Sequence, residues 1–375
     1  RREKPAMTTR QKLPEAGIIT FHRAVNYGAL LQTYALQAAV EKLGHTCEVI
    51  DYHSHGIDRN YFKKHPWNCR GLKDVARYLL YWRNNNKKYD KFRSFASRRL
   101  NLSAPCQSHE DLTRISSRYK HLICGSDQVW NYTHSDFDSA YFLAFEKNQQ
   151  KKNAYAASFG FSEVPEEVRP EYETLLKSFN RVYIREKQGV EIFNRLTGKN
   201  AEMALDPTLL LNRSEWNDIA EESKEEGHIF IYSYGLPPAI TSLAEKLSQK
   251  TGSRIIHTPA SYSHGKVPLN YSLKIGSPEE FLGSFKEARY VLTNSYHGTI
   301  FSIIYNKPFF VEGFNYNSRI SNLLALFELS DRLISDGEEP EIEKATDYTR
   351  VNSILENEKK KSLGMLGQIF SYTQD

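Results

Sequence analysis

Short runs of β-branched and aromatic residues alternate along this chain with longer stretches whose apolar residues recur at helical spacing. The first run is GIITF (17–21), followed by a turn through Asn26 and Gly28, a helical stretch near 29–43 stopped by Gly44, and a second run CEVID (47–51). That order predicts a βαβ unit. Further strands are expected at HLIC (121–124), NAYAASF (153–159), RVYIR (181–185), HIFIYSY (228–234), RIIHT (254–258), YVLTN (290–294) and PFFVE (308–312). Ser277, Pro278 and Glu280 mark a helix start: the serine caps, the proline sits in the first turn and the glutamate reaches back. Helices between apolar strands predict an α/β fold with parallel sheets covered on both faces. A change of rhythm at DPTLLLNRSEW (206–216) divides the chain into a unit over 13–208, a second over 209–335, and a helical tail over 336–375 expected to pack back on the first.

With 375 residues, 40% of them hydrophobic, the chain is long enough for two cores. No apolar run reaches membrane-spanning length and no internal repeat stands out. Cys47, Cys69, Cys106 and Cys124 lack the spacing of a zinc site or a disulfide scaffold and read as reduced structural thiols. Residues 1–15 are charged and hold no apolar core, so neither a signal peptide nor an anchor is expected and a cytoplasmic location is.

Charge is uneven. Residues 59–99 carry 13 Lys or Arg against Asp74 and Asp90, a local balance of +11 in a chain whose net charge is +5. Apolar residues at helical spacing (Leu72, Val75, Ala76, Leu79, Leu80, then Phe92 and Phe95) run through that segment. Solvated surface helices explain it. A sharper expectation is peripheral contact with an anionic membrane at its inner face. No reader motif accompanies the charge, so nucleic acid is not an expected partner.

In parallel sheets, ligands bind beyond the carboxyl ends of the strands, where loops lead into helix N-termini. Four polar clusters follow expected strands there: Asn26-Tyr27-Gly28, Gly125-Ser126-Asp127-Gln128, Ser158-Phe159-Gly160 and Asn294-Ser295-Tyr296-His297-Gly298. Each alone reads first as an ordinary turn or core feature, and the last as a capping serine beside a buried histidine. Together they outline a cleft. Asp51, His53 and His55 alternate as metal ligands sometimes do, but no helix pattern completes a site and no metal is expected. The first βα turn has only Gly28, without the spacing of a dinucleotide fingerprint, so no cofactor is expected.

The segments FHRAVNYGALLQTYAL (21–36), GSDQVWN (125–131), YAASFG (155–160), IREKQGVEI (184–192), LDPTLLL (205–211) and NSYHGTIFSIIYNKPF (294–309) resemble, in order, the motifs of polysaccharide pyruvyl transferases. The resemblance runs from about Gly17 to Leu333. It implies a glycosyltransferase-B-like pair of Rossmann-like doubly wound domains with the active site in the cleft between them, the first domain on the acceptor side and the second on the donor side. It also implies phosphoenolpyruvate as donor, a sugar or lipid-linked oligosaccharide as acceptor, a cyclic pyruvate ketal as product, and a place in capsule or exopolysaccharide biosynthesis. The alternatives are a nucleotide-sugar glycosyltransferase of the same fold and a non-catalytic glycan-binding member.

The implied roles fall on particular residues. Arg185 and His297 match the family pattern, Arg185 as a ligand of the donor phosphate or carboxylate and His297 as acid or phosphate ligand. Ser295, Tyr296, Gly298 and Arg319 complete the expected donor side. Asp127 is the expected base for the sugar hydroxyl, with a helix cap as its other reading. Asn26, Tyr27, Gly28, Gly125, Ser126, Gln128 and Ser158 are the expected acceptor side. The best-studied branch is similar to R-L-H where this chain has Ser295-Tyr296-His297. The expectation is that Ser295 with backbone amides, or Arg319, Lys266 or Arg23 from another loop, supplies the missing cation, or that the donor differs.

Overall fold

Strands buried along their whole length are satisfied only between two covering layers. Such strands form the centre of both sheets of this protein, and the edge strands are partly exposed. They are seen in a computed structural model that describes residues 13–63, 65, 71, 75, 82–133, 138–222, 225–261, 267–313, 318–337 and 340–371. The first sheet contains β1 (Ala16–Ile19), β2 (Cys47–Val49), β3 (His121–Cys124), β4 (Lys152–Ala157), β5 (Arg181–Ile184) and β6 (Glu202–Met203). The second contains β7 (His228–Ser233), β8 (Ile255–Pro259), β9 (Tyr271–Leu273), β10 (Ala288–Thr293), β11 (Phe309–Glu312) and β12 (Leu333–Ile334). Every strand pairing within the two sheets is parallel, Ile18 for example lying between Val49 and Ile123, and Phe230 between Ile256 and Val291.

The strand orders place the loops that matter. The first sheet runs β2-β1-β3-β4-β5-β6 and the second β12-β11-β10-β7-β8-β9. Each order reverses direction once, between β1 and β3 and between β7 and β10, and a crevice opens at the carboxyl ends of the strands where that happens. These are two Rossmann-like doubly wound units.

The two units are joined by packing and by charge. Tyr27 opens the helix Tyr27–Lys42, stacks on Phe281 of the helix Pro278–Glu287 with ring centroids 4.2 Å apart, and donates its hydroxyl to Gly276 O at 2.9 Å. Both rings are buried, and such a pair adds about 0.5–1.5 kcal/mol beyond the area it removes from water. The second helix starts as expected: Ser277 Oγ accepts from Glu280 N–H at 3.1 Å, and the Glu280 carboxylate accepts from Ser277 N–H.

The helix Arg83–Arg99, part of the basic segment, lies against the second unit. Arg98 pairs with Glu279, Lys91 with Glu280, and Lys88 is buried with its ammonium 3.3 Å from Ser261 O. Lys63 pairs with Asp90, and Arg93 donates to Arg23 O. Part of the expected membrane-facing stretch, including Leu72, Ala76, Leu79 and Leu80, lies outside the described residues; in the rest, these five cations meet partners within the chain.

The helix Tyr348–Phe370 crosses back to the first sheet, where Tyr155 and Tyr183 donate to Ser362 O and Gln368 Oε1 at 3.4 and 2.8 Å. No helix among the described residues is long and apolar enough to cross a membrane. Cys47, Cys106 and Cys124 are buried, unpaired thiols, and Cys69 lies outside the described residues.

Candidate active site

The two crevices face each other, and between them lies a cavity of about 860 Å3. The first domain lines it with Phe21, Ala24, Asn26 and Ala29 after β1, Asp127 and Gln128 after β3, and Arg185 after β5. The second contributes residues 234–237 after β7, Ala260 and Ser261 after β8, residues 294–297 after β10, and Arg319 from the helix Ser318–Leu326.

A single carboxylate ties the floor together. Asp206 caps the 3-10 turn Pro207–Leu210, its Oδ1 accepting from Thr208 N–H at 3.0 Å and from Thr208 Oγ1 at 2.7 Å. Its Oδ2 accepts from Ser126 Oγ and from Arg185 Nη1, each at 2.9 Å, and lies 3.5 Å from His297 Nε2. Burial alone would raise the Asp206 carboxyl, but the charge and reach of His297, with Arg185 and Thr208, outweigh it and hold the acid well below the usual carboxylate range. The Nε2 edge of the His297 ring thus faces an ionised oxygen.

Arg185 lies at the bottom. Its side chain is only 1% exposed, its charge centre sits 4.6 Å from the Tyr296 ring centroid, and Nη2 lies 3.8 Å from Asp127 Oδ1. Burial opposes its charge, yet Tyr296, Asp206 and Asp127 raise its pKa above the ordinary arginine value. Nε and Nη2 make no hydrogen bond to the protein. In this conformation both nitrogens are closed to solvent. Arg319 lies half-buried nearby, its pKa lowered by lost solvation and by the Arg185 charge.

Two backbone features fix the rest. Ser295 caps the helix Tyr296–Ile304, accepting from Gly298 N–H at 3.5 Å, so the positive end of that helix faces the cavity wall formed by Ser295 and His297. Asp127 has φ 84, a left-handed conformation that strains a residue with a side chain. Its neighbour Ser126 is fully buried while Asp127 lines the cavity. Across the cleft, a Cβ at Gly28 would fall 2.0 Å from His297 Nδ1, so only glycine lets the ring pack on the start of the first domain's helix.

A family model of polysaccharide pyruvyl transferases matches residues 26–317. The chain belongs to the polysaccharide pyruvyl transferase family. No curated protein matches its sequence. Among solved structures it is similar to the UDP-GlcNAc 2-epimerase from Methanocaldococcus jannaschii, at TM-score 0.49 and 10% identity over 96% of this chain and 100% of that one. It is also similar to the UDP-N-acetylglucosamine 2-epimerase from Rickettsia bellii (0.46, 11%, 96% and 97%) and to an α-glucosyltransferase in complex with UDP (0.48, 8%, 94% and 95%).

In this family member the cavity brings together Asn26, Asp127, Gln128, Arg185, Ser295, Tyr296, His297 and Arg319 of the expected site residues. The other six do not line it. Tyr27 is turned into the domain interface, and Gly28 serves as the seat of His297. Gly125 packs on Thr20, Ser126 holds Asp206, and Ser158 donates to Glu186 Oε1 at 2.9 Å. Gly298 sits where a Cβ would meet Thr293 Oγ1 at 2.1 Å. Arg23 is committed to Asp58, Asp51 and His53, and Lys266 lies outside the described residues, so of the three replacement cations only Arg319 is seen at the cavity.

The Asp51 carboxylate is engaged by His22 Nε2 at 3.0 Å, His53 Nε2 at 3.3 Å and Arg23, and no group of three or more His, Cys, Asp or Glu among the described residues is placed to hold a metal. Sequence reasoning missed Asp206 and Tyr234. The Asp-Pro-Thr of LDPTLLL signals a capped turn, but its link to Arg185 is tertiary.

Proposed function

We propose that this protein transfers the three-carbon unit of phosphoenolpyruvate to two hydroxyls of one sugar, forming a cyclic pyruvate ketal and releasing phosphate. The observation that carries the reading is the shared Asp206 oxygen, which gathers Arg185 from the first domain and His297 from the second at the floor of one cavity. Family membership supplies the reaction class.

The donor carries a phosphate and a carboxylate, and its methylene carbon must take a proton before the neighbouring carbon becomes electrophilic. Arg185, Arg319 and the N-terminus of the helix Tyr296–Ile304 supply positive charge around that position. His297, lining the cavity with its Nε2 beside Asp206, delivers the proton. The first sugar hydroxyl then adds to the donor's central carbon, phosphate leaves, and the second hydroxyl closes the ketal. Of the two hydroxyl protons, one balances the new methyl group and the other leaves on phosphate. Asp127, on the first-domain wall, accepts a hydroxyl proton. Lipid-linked and free glycans both fit this chemistry.

The test is phosphate release from phosphoenolpyruvate with a panel of galactose-, mannose- and glucose-containing acceptors, with product mass recorded. Acceptor-dependent release with a product heavier by one pyruvyl ketal is the expected result. Turnover of a nucleotide sugar without phosphoenolpyruvate consumption would replace this reading with the glycosyltransferase one, and sugar binding with no turnover would replace it with a glycan-binding role.

A further inference from the structure

The cavity is lined by apolar residues, Phe21, Ala24, Leu236 and Pro237 among them, as well as by the polar groups beside Asp206. Its volume, about 860 Å3, lies near the top of the range for sites that enclose a drug-sized ligand, far more than a three-carbon donor fills. Tyr234 lines the cavity while 52% exposed, so its ring is open to a ligand there.

The turn is built to hold that ring in place. Asn294 grips the Tyr234 backbone twice, its Oδ1 accepting from Tyr234 N–H at 2.8 Å and its Nδ2 donating to Tyr234 O at 3.1 Å. Ser233 Oγ donates to Gly235 O at 2.5 Å, and Gly235 has φ +68, where glycine is favoured. Asn26 Nδ2 donates to Tyr234 Oη at 3.4 Å, reaching across from the start of the first domain's helix. An aromatic face so constrained has little conformational freedom left to lose on binding, and its exposed area is recovered when an apolar surface covers it. A pyranose ring offers such a surface on the side where its C–H bonds gather, and its hydroxyls point elsewhere.

We infer that Tyr234 is the platform on which the acceptor sugar stacks, its C–H face on the phenol ring and its hydroxyl pair turned inward toward Asp127 and His297. This rests on the proposed function for the acceptor being a sugar. It narrows the substrate class to pyranosides with an unbroken C–H face beside the reacting diol, and sets aside acyclic polyols. It also places acceptor binding on the second domain as well as the first.

The test separates sugar binding from donor use. Saturation-transfer NMR on the intact protein with methyl pyranosides, without donor, is expected to mark the ring protons of one face. Tyr234→Ala should weaken glycoside binding by about tenfold or more, while Tyr234→Phe and Tyr234→Trp stay within about threefold of wild type. Phosphoenolpyruvate affinity, measured by calorimetry on the same variants, should not move. Wild-type glycoside binding by Tyr234→Ala overturns the platform and leaves the proposed reaction standing. Equal loss of donor and glycoside binding also overturns it, because the residue then serves the cavity as a whole. A wild-type protein that binds glycosides through Tyr234 but not phosphoenolpyruvate supports the platform and removes the donor assignment.

Discussion

Asp206 and Lys88 are both charged groups taken out of water where the two domains meet, and their surroundings differ in kind. Asp206 is met by Arg185, Ser126, His297 and Thr208, so its charge is held firmly. Lys88 is met by the carbonyls of Pro259 and Ser261 at 3.4 and 3.3 Å and by the Tyr27 ring centroid at 4.8 Å, with no salt bridge to a carboxylate among the described residues. Burial pushes its ammonium down to about 7. One site holds its charge; the other tolerates losing it, since a neutral amine still donates to both carbonyls. Under the proposed function, the buried charge that serves chemistry is the one that opposite charges surround.

Removing the carboxylate is the sharpest way to break that contrast. Asp206→Ala leaves Arg185 buried without its partner and should cost about 3–5 kcal/mol in denaturant unfolding. Asp206→Asn keeps the shape but not the charge, and should lower kcat for phosphate release by about a thousandfold, with a smaller change in donor KM. A variant that retained wild-type kcat and its pH profile would reduce Asp206 to a structural cap.

Lys88 sets the second effect, and its sign is distinctive. Its folded pKa of about 7 lies below the ordinary 10.5, so below pH 7 both states hold the proton and the burial penalty is felt in full. As pH rises from about 7 to 10.5, the unfolded chain still binds a proton that the folded protein has released, and stability rises by as much as about 4 kcal/mol. Lys88→Met should flatten that rise. Denaturant unfolding of both proteins at pH 7, 8.5 and 10 measures the difference, and parallel curves would mean that the amine is solvated.

Gly28 gives a smaller effect that returns to the catalytic side. A methyl group there meets His297 Nδ1, so Gly28→Ala should move the ring off Asp206 and lower kcat by about 10–100-fold with little change in unfolding. Unchanged kcat would show that the ring adjusts without consequence.

The same contrast explains what the sequence could disclose. Strands such as HLIC and HIFIYSY are apolar enough to declare themselves, whereas β6, β9 and β12 are two or three residues long and partly exposed, leaving no periodic signal. Strand ends located the cluster 125–128, but not which member faces the cavity: Ser126 is buried and its neighbour Asp127 is not, a division made by the left-handed backbone at Asp127. The positive charge of 59–99 was plain. Its partners were not, because Glu279 and Glu280 lie 181 and 189 residues from Arg98 and Lys91 and meet them only after both sheets form.

Those pairs carry the smallest effect expected here. Arg98 is 59% exposed at the side chain and Glu279 only 9%, so the pair sits at the rim of the interface, where water and salt weaken it. Arg98→Ala should reduce stability by about 0.2–1 kcal/mol, and the loss should shrink in 1 M salt. A double-mutant cycle with Glu279→Ala isolates the pair from the packing of the arginine stem. A salt-insensitive coupling well above 1 kcal/mol would place this pair among the buried charges with Asp206. Coupling near zero would leave the pair of Lys91 with Glu280, the stack of Tyr27 on Phe281 and the amine of Lys88 to hold the domains together at this edge.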